Sequence, residues 1–289
     1  MPEATRSQAD LGALFSLTKD AADTWVGESD LIPLPQLFGG QLVAQSIVAA
    51  SHGLRSEQQV HSVHTAFLRG GTVGEPVRYV VTELVTGRSR ATRRVDALQG
   101  DRLVCSSLLS ADVARTGIDH ARPAPPFDPP SASVPLTELA DDGGLGEFWD
   151  GFEAIEVRVS RPREVWSVPH SGVPPTHVWM RPTHPLPDDP VLHRAAVAYA
   201  SDLMLLGSVL AGHGVPVGHE RTLAEEWWGV SLDHSLWFAP DVRGDDWLLF
   251  EHTSPLAHGS RALVQAAVFD LASQPVAQVA QEALVRRAR

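Results

Sequence analysis

The chain repeats short segments in the same order at a nearly constant offset. Residues 64–68 (HTAFL) return as 234–238 (HSLWF), residues 89–91 (SRA) as 260–262 (SRA), and residues 103–104 (LV) as 276–277 (VA). The offsets are 170, 171 and 173 residues, whereas solenoid repeats have periods of roughly 20–50 residues. The sequence therefore predicts two copies of one structural unit, in which one copy can keep chemistry while the other supports it.

Within each half, one apolar helix precedes four strand-like segments. The helices are predicted over residues 38–50 and 191–210, and both are apolar on nearly every face, which is typical of buried helices. The predicted strands are 60–69, 77–85, 88–98 and 102–110 in the first half, and 230–238, 247–253, 260–271 and 276–285 in the second. This order predicts an α+β fold in which each antiparallel sheet curls around its helix. Two such sheets can join edge to edge, which covers exposed strand edges.

Prolines crowd the segment between the two predicted units. They occupy positions 123, 125, 126, 129, 130 and 135. Because proline fixes φ and lacks a backbone donor, we expect an extended linker here rather than a helix or a central strand. We predict an N-terminal unit over residues 1–125, a linker over 126–150, and a C-terminal unit over 151–289 that carries the catalytic residues.

Composition and charge narrow the range of partners. The net charge of −12 argues against nucleic acid. The absence of an apolar run of about 18 residues predicts no membrane-spanning helix, and the first residues lack the pattern of a signal peptide. The single cysteine, Cys105, cannot form an internal disulfide, so we expect a reducing, cytoplasmic location and interpret Cys105 as a packing residue.

An aspartate interrupts the second apolar helix. Asp202 follows residues 195–201 (AAVAYAS) and precedes residues 203–206 (LMLL), and a carboxylate in such surroundings is costly unless it is paired or hydrogen-bonded. The first helix contains no acid, so the two halves differ in ionisable chemistry. Asp202 is therefore either a buried structural contact or the acid–base group of a site.

Two polar residues, Ser231 and Gln281, lie in apolar strands of the second half. Either could face solvent, because alternate residues of a strand point to opposite faces. Together with Asp202, however, they offer a base, a hydroxyl and an amide, which can orient a water molecule without a covalent nucleophile. Asp233 and His234 look like a dyad, but as strand neighbours they are expected to point apart. The sequence shows neither a G-x-S-x-G nucleophile elbow nor a metal-binding motif.

Six segments resemble the acyl-CoA thioesterase II family, whose members have a double hotdog fold. They are 37–46 (LFGGQLVAQS), 61–69 (HSVHTAFLR), 93–95 (RRV), 199–202 (YASD), 232–238 (LDHSLWF) and 281–282 (QE), in the family's order. The resemblance implies that the family's catalytic aspartate, hydroxyl residue and glutamine fall on Asp202, Ser231 and Gln281. It also implies hydrolysis of acyl-CoA to a free acid and coenzyme A, in fatty acid metabolism, without a cofactor or a metal.

Two details of this expected site stay open in the sequence. Trp227 and Trp228 are bulkier than the family pattern, and they are expected either to line the acyl pocket or to pack at the seam between the units. Backbone amides at a helix N-terminus, near Gly39-Gly40 or near His193, are expected to polarise the thioester carbonyl.

Two other functions remain as alternatives. A hotdog enoyl-CoA hydratase or dehydratase is disfavoured, because these enzymes typically use an Asp-His pair on the helix segment and no histidine follows Asp202 until His213. A non-catalytic acyl-CoA binding protein is the other alternative. For each function the outer sheet faces predict a homo-oligomer, a dimer or a tetramer.

Overall fold

The computed structural model describes residues 10–140, 144–150, 152–160, 175–215 and 217–288. The strands of the first half are β1 (Thr18–Ala21), β2 (Thr24–Gly27), β3 (Gln58–Phe67), β4 (Val77–Thr86), β5 (Arg90–Gln99) and β6 (Arg102–Val113). Those of the second half are β7 (Val134–Pro135), β8 (Ile155–Ser160), β9 (Thr176–Pro182), β10 (Trp227–Ser231), β11 (Asp233–Phe238), β12 (Leu248–His258), β13 (Arg261–Phe269) and β14 (Pro275–Arg287). The α-helices are α1 (Leu11–Leu14), α2 (Gly39–Ser51), α3 (Glu147–Asp150), α4 (Pro190–Ser201), α5 (Leu205–Ala211) and α6 (Glu220–Glu226).

The described strands form one continuous antiparallel sheet. Their order is β1-β2-β4-β5-β6-β3-β11-β14-β13-β12-β9-β8-β7, and β10 pairs with the last part of β14. Strands β3 and β11 form the seam, where His64 is paired with Ser235 and Thr65 with His234. A shift of 170 residues turns each pair into the other, so the two units are related by an approximate two-fold axis at the seam. The predicted duplication and edge-to-edge joining are confirmed, and the architecture is a double hotdog.

The two long helices, α2 and α4, lie inside the curled sheets. Helix α2 is buried along nearly its whole length: most of its residues are apolar or small, and the buried amides of Gln41 and Gln45 both donate hydrogen bonds to the carbonyl oxygen of Glu28. A Cβ on Gly40 would lie 2.5 Å from the carbonyl oxygen of Tyr199, so glycine at this position lets the two helices approach closely. At its start, α4 is capped by the Asp189 carboxylate, which accepts a hydrogen bond from the Val191 N–H at 2.8 Å. This packing brings the start of α2 beside the end of α4.

The second apolar segment is not one helix. The predicted helix over 191–210 is wrong at its centre: α4 ends at Ser201, α5 begins at Leu205, and Met204 between them has a φ of 61°. Serine and aspartate side chains compete with the backbone for hydrogen bonds, so Ser201 and Asp202 favour a helix end at this place. Residues 190–211 have the length and composition of a membrane span. However, 72% of their most apolar stretch of 18 residues is buried inside the protein, as part of its core.

The sequence does not predict the short strands at the ends of the sheet. It also does not predict that the proline-rich segment packs against the second sheet. The chain turns at Leu232, so two strands, β10 and β11, replace the single predicted strand over 230–238. Five further strands are not predicted at all: β1, β2, β7, β8 and β9. The proline-rich strap, residues 122–135, lies against the outer face of the second sheet. There Phe127 packs edge-on against Trp179, and Arg122 forms an ion pair with Glu251.

The strap ends in an edge strand, because β7 pairs with β8. The proline-rich strap is therefore packed against the second sheet and ends in a strand, whereas the sequence predicts only an extended linker there. Residues 141–143 of the predicted linker lie outside the described residues. The unit boundaries near residues 125 and 150 stay a prediction.

Candidate active site

Asp202 lies at the break between α4 and α5, beside the start of α2. Its side chain is 6% exposed. A Cβ on Gly39 would lie 2.6 Å from Oδ2 of Asp202, so residue 39 must lack a side chain for the carboxyl group to fit. The backbone N–H of Gly40 donates a hydrogen bond to the carboxylate. An acid from one half of the molecule therefore sits at the positive end of the helix dipole of the other half.

Ser231 and Gln281 approach this carboxylate from two paired strands. Ser231 ends β10 opposite Ala283 of β14, and Gln281 lies two residues earlier on β14. The Gln281 side-chain Nε2 donates a hydrogen bond to Ser231 Oγ at 2.6 Å and another to Asp202. Gln281 is buried and Ser231 is partly buried, so neither simply faces solvent. The structure brings together the three residues that the sequence singles out.

Burial strongly perturbs the acid–base chemistry of Asp202. Loss of hydration raises the pKa of its carboxyl group from 3.8 to about 7, and the hydrogen bonds from Gly40 and Gln281 offset part of that rise. Its Oδ1 has no hydrogen-bond partner among the described residues. A group whose pKa lies near neutrality can accept a proton and return it at physiological pH. The environment of Asp202 therefore suits general acid–base chemistry.

His234 is a member of the site that the sequence prediction misses. It is fully buried, and its Nδ1 lies 3.8 Å from Asp202 Oδ1. The same Nδ1 is hydrogen-bonded to Gln281 Oε1, while Nε2 lies 2.8 Å from Ser201 Oγ. Burial lowers the pKa of His234 to about 4, so the ring is neutral at pH 7. The available signal was the repeat, because histidine occurs at the equivalent positions 64 and 234.

Two cavities meet at Asp202. The first has a volume of about 250 Å³ and lies between the start of α2, the end of β3 and β10; its lining includes Gln36, Gly39, Arg69 and Ser231. The second has a volume of about 270 Å³ and lies between α3, α5 and α6. Its lining is mainly apolar and includes Phe38, Phe148, Trp149, Met204, Leu206 and Leu223. The carboxyl group thus faces a space with mixed polar and apolar walls on one side and a mainly apolar space on the other.

The two tryptophans before Ser231 line neither of these cavities. Trp227 borders a separate cavity of about 360 Å³ beyond the end of α5, and its ring stacks under Arg287 at 4.5 Å. Trp228 is 42% exposed and stacks under Arg286 at 4.5 Å. The seam lies between β3 and β11, so these indoles do not pack there, and they line neither of the cavities that contain Asp202.

The same cavities bear on which helix start, near Gly39 or near His193, supplies the backbone amides expected at the site. Gly39 lines the cavity that contains Asp202, whereas His193 lies near the opposite end of α4, 3.4 Å from Asp245. The first amides of a helix have no intrahelical acceptor and favour negative charge. Of these two helix starts, the start of α2 is therefore the one that lies beside the carboxylate. Across the described parts of the chain, no three His, Cys, Asp or Glu side chains converge as ligands of a metal ion.

Comparison with known proteins finds thioesterases for both halves of the chain. A family model described as acyl-CoA thioesterase matches residues 150–284, and one described as acyl-CoA thioesterase N-terminal domain matches residues 33–112. The crystal structure of an acyl-CoA thioesterase II, TesB2 from Mycobacterium marinum, is 34% identical, with a TM-score of 0.78 over 96% of this chain and 97% of that chain.

Curated relatives agree with this comparison. Acyl-coenzyme A thioesterase 8 from Homo sapiens is 29% identical over 91% of this chain and 85% of its own length. Acyl-CoA thioesterase 2 from Haemophilus influenzae is 28% identical over 90% of this chain and 91% of its own length. The similarity extends over nearly the whole chain in each case.

Proposed function

Because this chain belongs to the acyl-CoA thioesterase II family, its reaction is the hydrolysis of an acyl-CoA thioester, and we propose that Asp202, Ser231 and Gln281 orient the attacking water. The observation that carries the proposal is the convergence of these three side chains at the meeting point of two cavities. The carboxyl group has a pKa of about 7, so at neutral pH a large share of molecules holds the ionised base.

The hydrogen bonds suggest a role for each group. Gln281 donates to Ser231 Oγ, so the hydroxyl proton of Ser231 is free to point into the cavity toward a water oxygen. Asp202 accepts a proton from that water as its oxygen attacks the thioester carbonyl. When the tetrahedral intermediate collapses, the C–S bond breaks and Asp202 returns the proton to the departing thiolate. The products are a carboxylic acid and the free thiol of coenzyme A, and the carboxylate of Asp202 is restored.

The start of α2 is the proposed source of electrostatic stabilisation. Negative charge develops on the thioester oxygen as water attacks, and preorganised backbone N–H groups stabilise such charge. Gly39 lines the cavity and follows Phe38, which carries no capping side chain. An N–H group near Gly39 is therefore placed to receive the carbonyl oxygen, while the N–H of Gly40 is bound to Asp202.

The two cavities suggest how a bound acyl-CoA is oriented in the site. The apolar cavity beside α5 and α6 is suited to the acyl chain, since burial of each methylene contributes about 0.8 kcal/mol. The other cavity has polar side chains and the cation of Arg69 at its wall, so it suits the pantetheine arm of coenzyme A. The thioester bond would then lie at Asp202, where the cavities meet.

The contact between Asp202 and His234 reopens the hydratase alternative, since such enzymes use an Asp-His pair. The pair exists in space, at 3.8 Å, although the two residues are 32 positions apart. His234 is fully buried, however, and lines neither cavity at Asp202. A histidine without access to substrate cannot exchange a proton with it, so the geometry favours hydrolysis.

The test is release of free thiol across acyl-CoAs from acetyl to palmitoyl, together with branched and aromatic acyl groups. We expect turnover by the native chain and loss of at least ~100-fold in kcat for Asp202→Asn, the size expected for removal of a general base. Asp20→Asn is the matched control, because Asp20 is exposed on β1. An Asp202→Asn protein that is folded and turns over at the native rate contradicts the mechanism.

The same set of acyl-CoAs tests which cavity holds the acyl chain. Leu206→Trp narrows the apolar cavity and is expected to shift the preference toward shorter acyl chains, while Leu68→Trp, in the wall of the other cavity, leaves that preference unchanged. The reverse result would place the acyl chain in the cavity beside Arg69. Thiol release separates hydrolysis from hydration of an enoyl-CoA, and ligand binding without turnover would indicate a non-catalytic binding protein.

A cytoplasmic location, a role in fatty acid metabolism and a homo-oligomeric state stay predictions of the same proposal. Large apolar side chains on the outer sheet face support an oligomer: Leu108 on β6 and Trp237 on β11, the two strands that flank β3, are 43% and 44% exposed. Light scattering at two protein concentrations, one well above and one well below the assay range, would give the mass of the assembly. A monomer throughout that range contradicts this expectation.

A further inference from the structure

His234 has a different partner on each of its two ring nitrogens, and the amide partner determines where the ring proton lies. Nδ1 is hydrogen-bonded to Gln281 Oε1, and an amide oxygen can only accept. Nδ1 must therefore carry the proton. Nε2, on the other side of the neutral ring, is then an acceptor. The Ser201 hydroxyl lies 2.8 Å from Nε2 and 2.9 Å from the carbonyl oxygen of Ala198, and in this tautomer its single proton points to Nε2.

The charge on Asp202 is a second, independent reason for a proton on Nδ1 of His234. Its Oδ1, which has no hydrogen-bond partner among the described residues, lies 3.8 Å from His234 Nδ1. The negative charge on this oxygen attracts a proton on Nδ1 and would repel a lone pair there. The side chain of Gln281 also meets the carboxylate, and it does so through N–H. Both neighbours of Asp202 thus turn a hydrogen toward it.

The orientation of the Gln281 amide matters for the hydroxyl of Ser231. With Nε2 toward Ser231, the amide donates and the hydroxyl proton remains available to a water molecule. If the amide were rotated by half a turn, its oxygen would face both Asp202 and Ser231. The hydroxyl would then donate to Gln281 instead of to water, and two oxygens would repel each other at Asp202. The two orientations have nearly the same shape, so a hydrogen bond must select between them.

We propose that His234 is a positioning residue that, as the Nδ1–H tautomer, holds the Gln281 amide with its N–H groups toward Ser231 and Asp202. This inference rests on the proposed function of those three residues. His234 touches no cavity at the site, so it acts through Gln281 alone. The hydroxyl of Ser201, the residue immediately before Asp202, is compatible with this tautomer, since its proton can point to Nε2 instead of to the Ala198 carbonyl oxygen.

Three substitutions of His234 separate positioning from simple packing. The amide nitrogen of asparagine falls near the Nδ1 position, whereas that of glutamine falls near Nε2, so His234→Asn can restore the donor to Gln281 and His234→Gln cannot. We expect His234→Asn to stay within ~10-fold of the native kcat, and His234→Gln and His234→Ala to lose ~100-fold or more, with KM nearly unchanged. His64→Gln is the matched control, because His64 is the equivalent residue of the first unit and is exposed.

The tautomer itself is measured in the native protein, which avoids any question of whether a variant folds. Ring ¹⁵N chemical shifts of labelled His234 distinguish a protonated Nδ1 from a protonated Nε2. A proton on Nε2, or an equal loss of kcat in all three folded variants, overturns the inference. If the native chain hydrolyses acyl-CoA and Asp202→Asn abolishes turnover in the same experiments, the proposed function stands whatever the result for His234.

Discussion

Replacing Asp202 with asparagine is expected to stabilise the protein at high pH while it removes the activity. In the unfolded chain the carboxyl group has a pKa of 3.8, and in the folded protein burial raises the pKa to about 7. Each unit of such a shift corresponds to 1.36 kcal/mol, so the full effect is about 4 kcal/mol. The folded protein accommodates the neutral acid and disfavours the carboxylate.

The direction of the pH dependence follows from this shift. Because the pKa of Asp202 is higher in the folded state, its contribution to stability is complete below pH 3.8 and is lost as the pH rises through about 7. Asparagine does not ionise and has no such loss. The free energy of unfolding of Asp202→Asn minus that of the native chain should therefore grow by about 2.5 kcal/mol between pH 5 and pH 8.

Urea unfolding, followed by tryptophan fluorescence at several pH values, measures this difference. Asp20→Asn removes the same charge from an exposed strand and is expected to give a difference that changes little with pH. If the Asp202→Asn difference is also flat, the carboxyl group is not destabilised by burial, and the argument for a base with a near-neutral pKa fails. In the native chain kcat/KM should rise with pH and level off above about pH 7, because only the ionised form accepts a proton.

Three further perturbations test the packing around the site. Burial raises the pKa of the Cys105 thiol to about 12, so a thiol-reactive dye should label the native chain only after unfolding. Gly39→Ala places a methyl group 2.6 Å from an oxygen of Asp202, so it should cost about 1–3 kcal/mol by overpacking and should lower kcat. Gly117→Ala, where no atom lies within 4 Å, should change kcat little. Arg122→Ala leaves the buried Glu251 without its arginine and should lower the free energy of unfolding by about 1–3 kcal/mol in a urea titration.

The repeated halves made much of the fold predictable from the sequence. Helix α2 and strands β3 to β6 match the predicted segments closely, because strands with alternating burial and a helix buried on all faces leave clear patterns. The short strands β1 and β2, at one end of the sheet, were not predictable in this way. They are only four residues long, and β1 is exposed throughout, so no alternation of apolar and polar residues marks it.

The site was predictable in its residues but not in its arrangement. Asp202 stands out because acids are rare among apolar residues, yet the same pattern suggested one continuous helix and hid the break that exposes its carboxyl group to two cavities. His234 escaped because its role depends on contacts with Gln281 and Ser201, which are 47 and 33 positions away. Local patterns do not report which distant side chains a register brings together.

The approximate two-fold axis gives the molecule two equivalent places for a site, at opposite ends of the paired helices. At one end Asp202 faces Gly39; at the other, Ser51 and Pro190 line a cavity of about 210 Å³ together with Arg194. In an assembly of identical single units, any mutation would appear at both ends, and a buried acid that weakens the fold would do so twice. Fusion of the two copies into one chain lets selection alter them independently, so this lineage could keep a reactive, destabilising carboxylate at one end and a hydroxyl at the other.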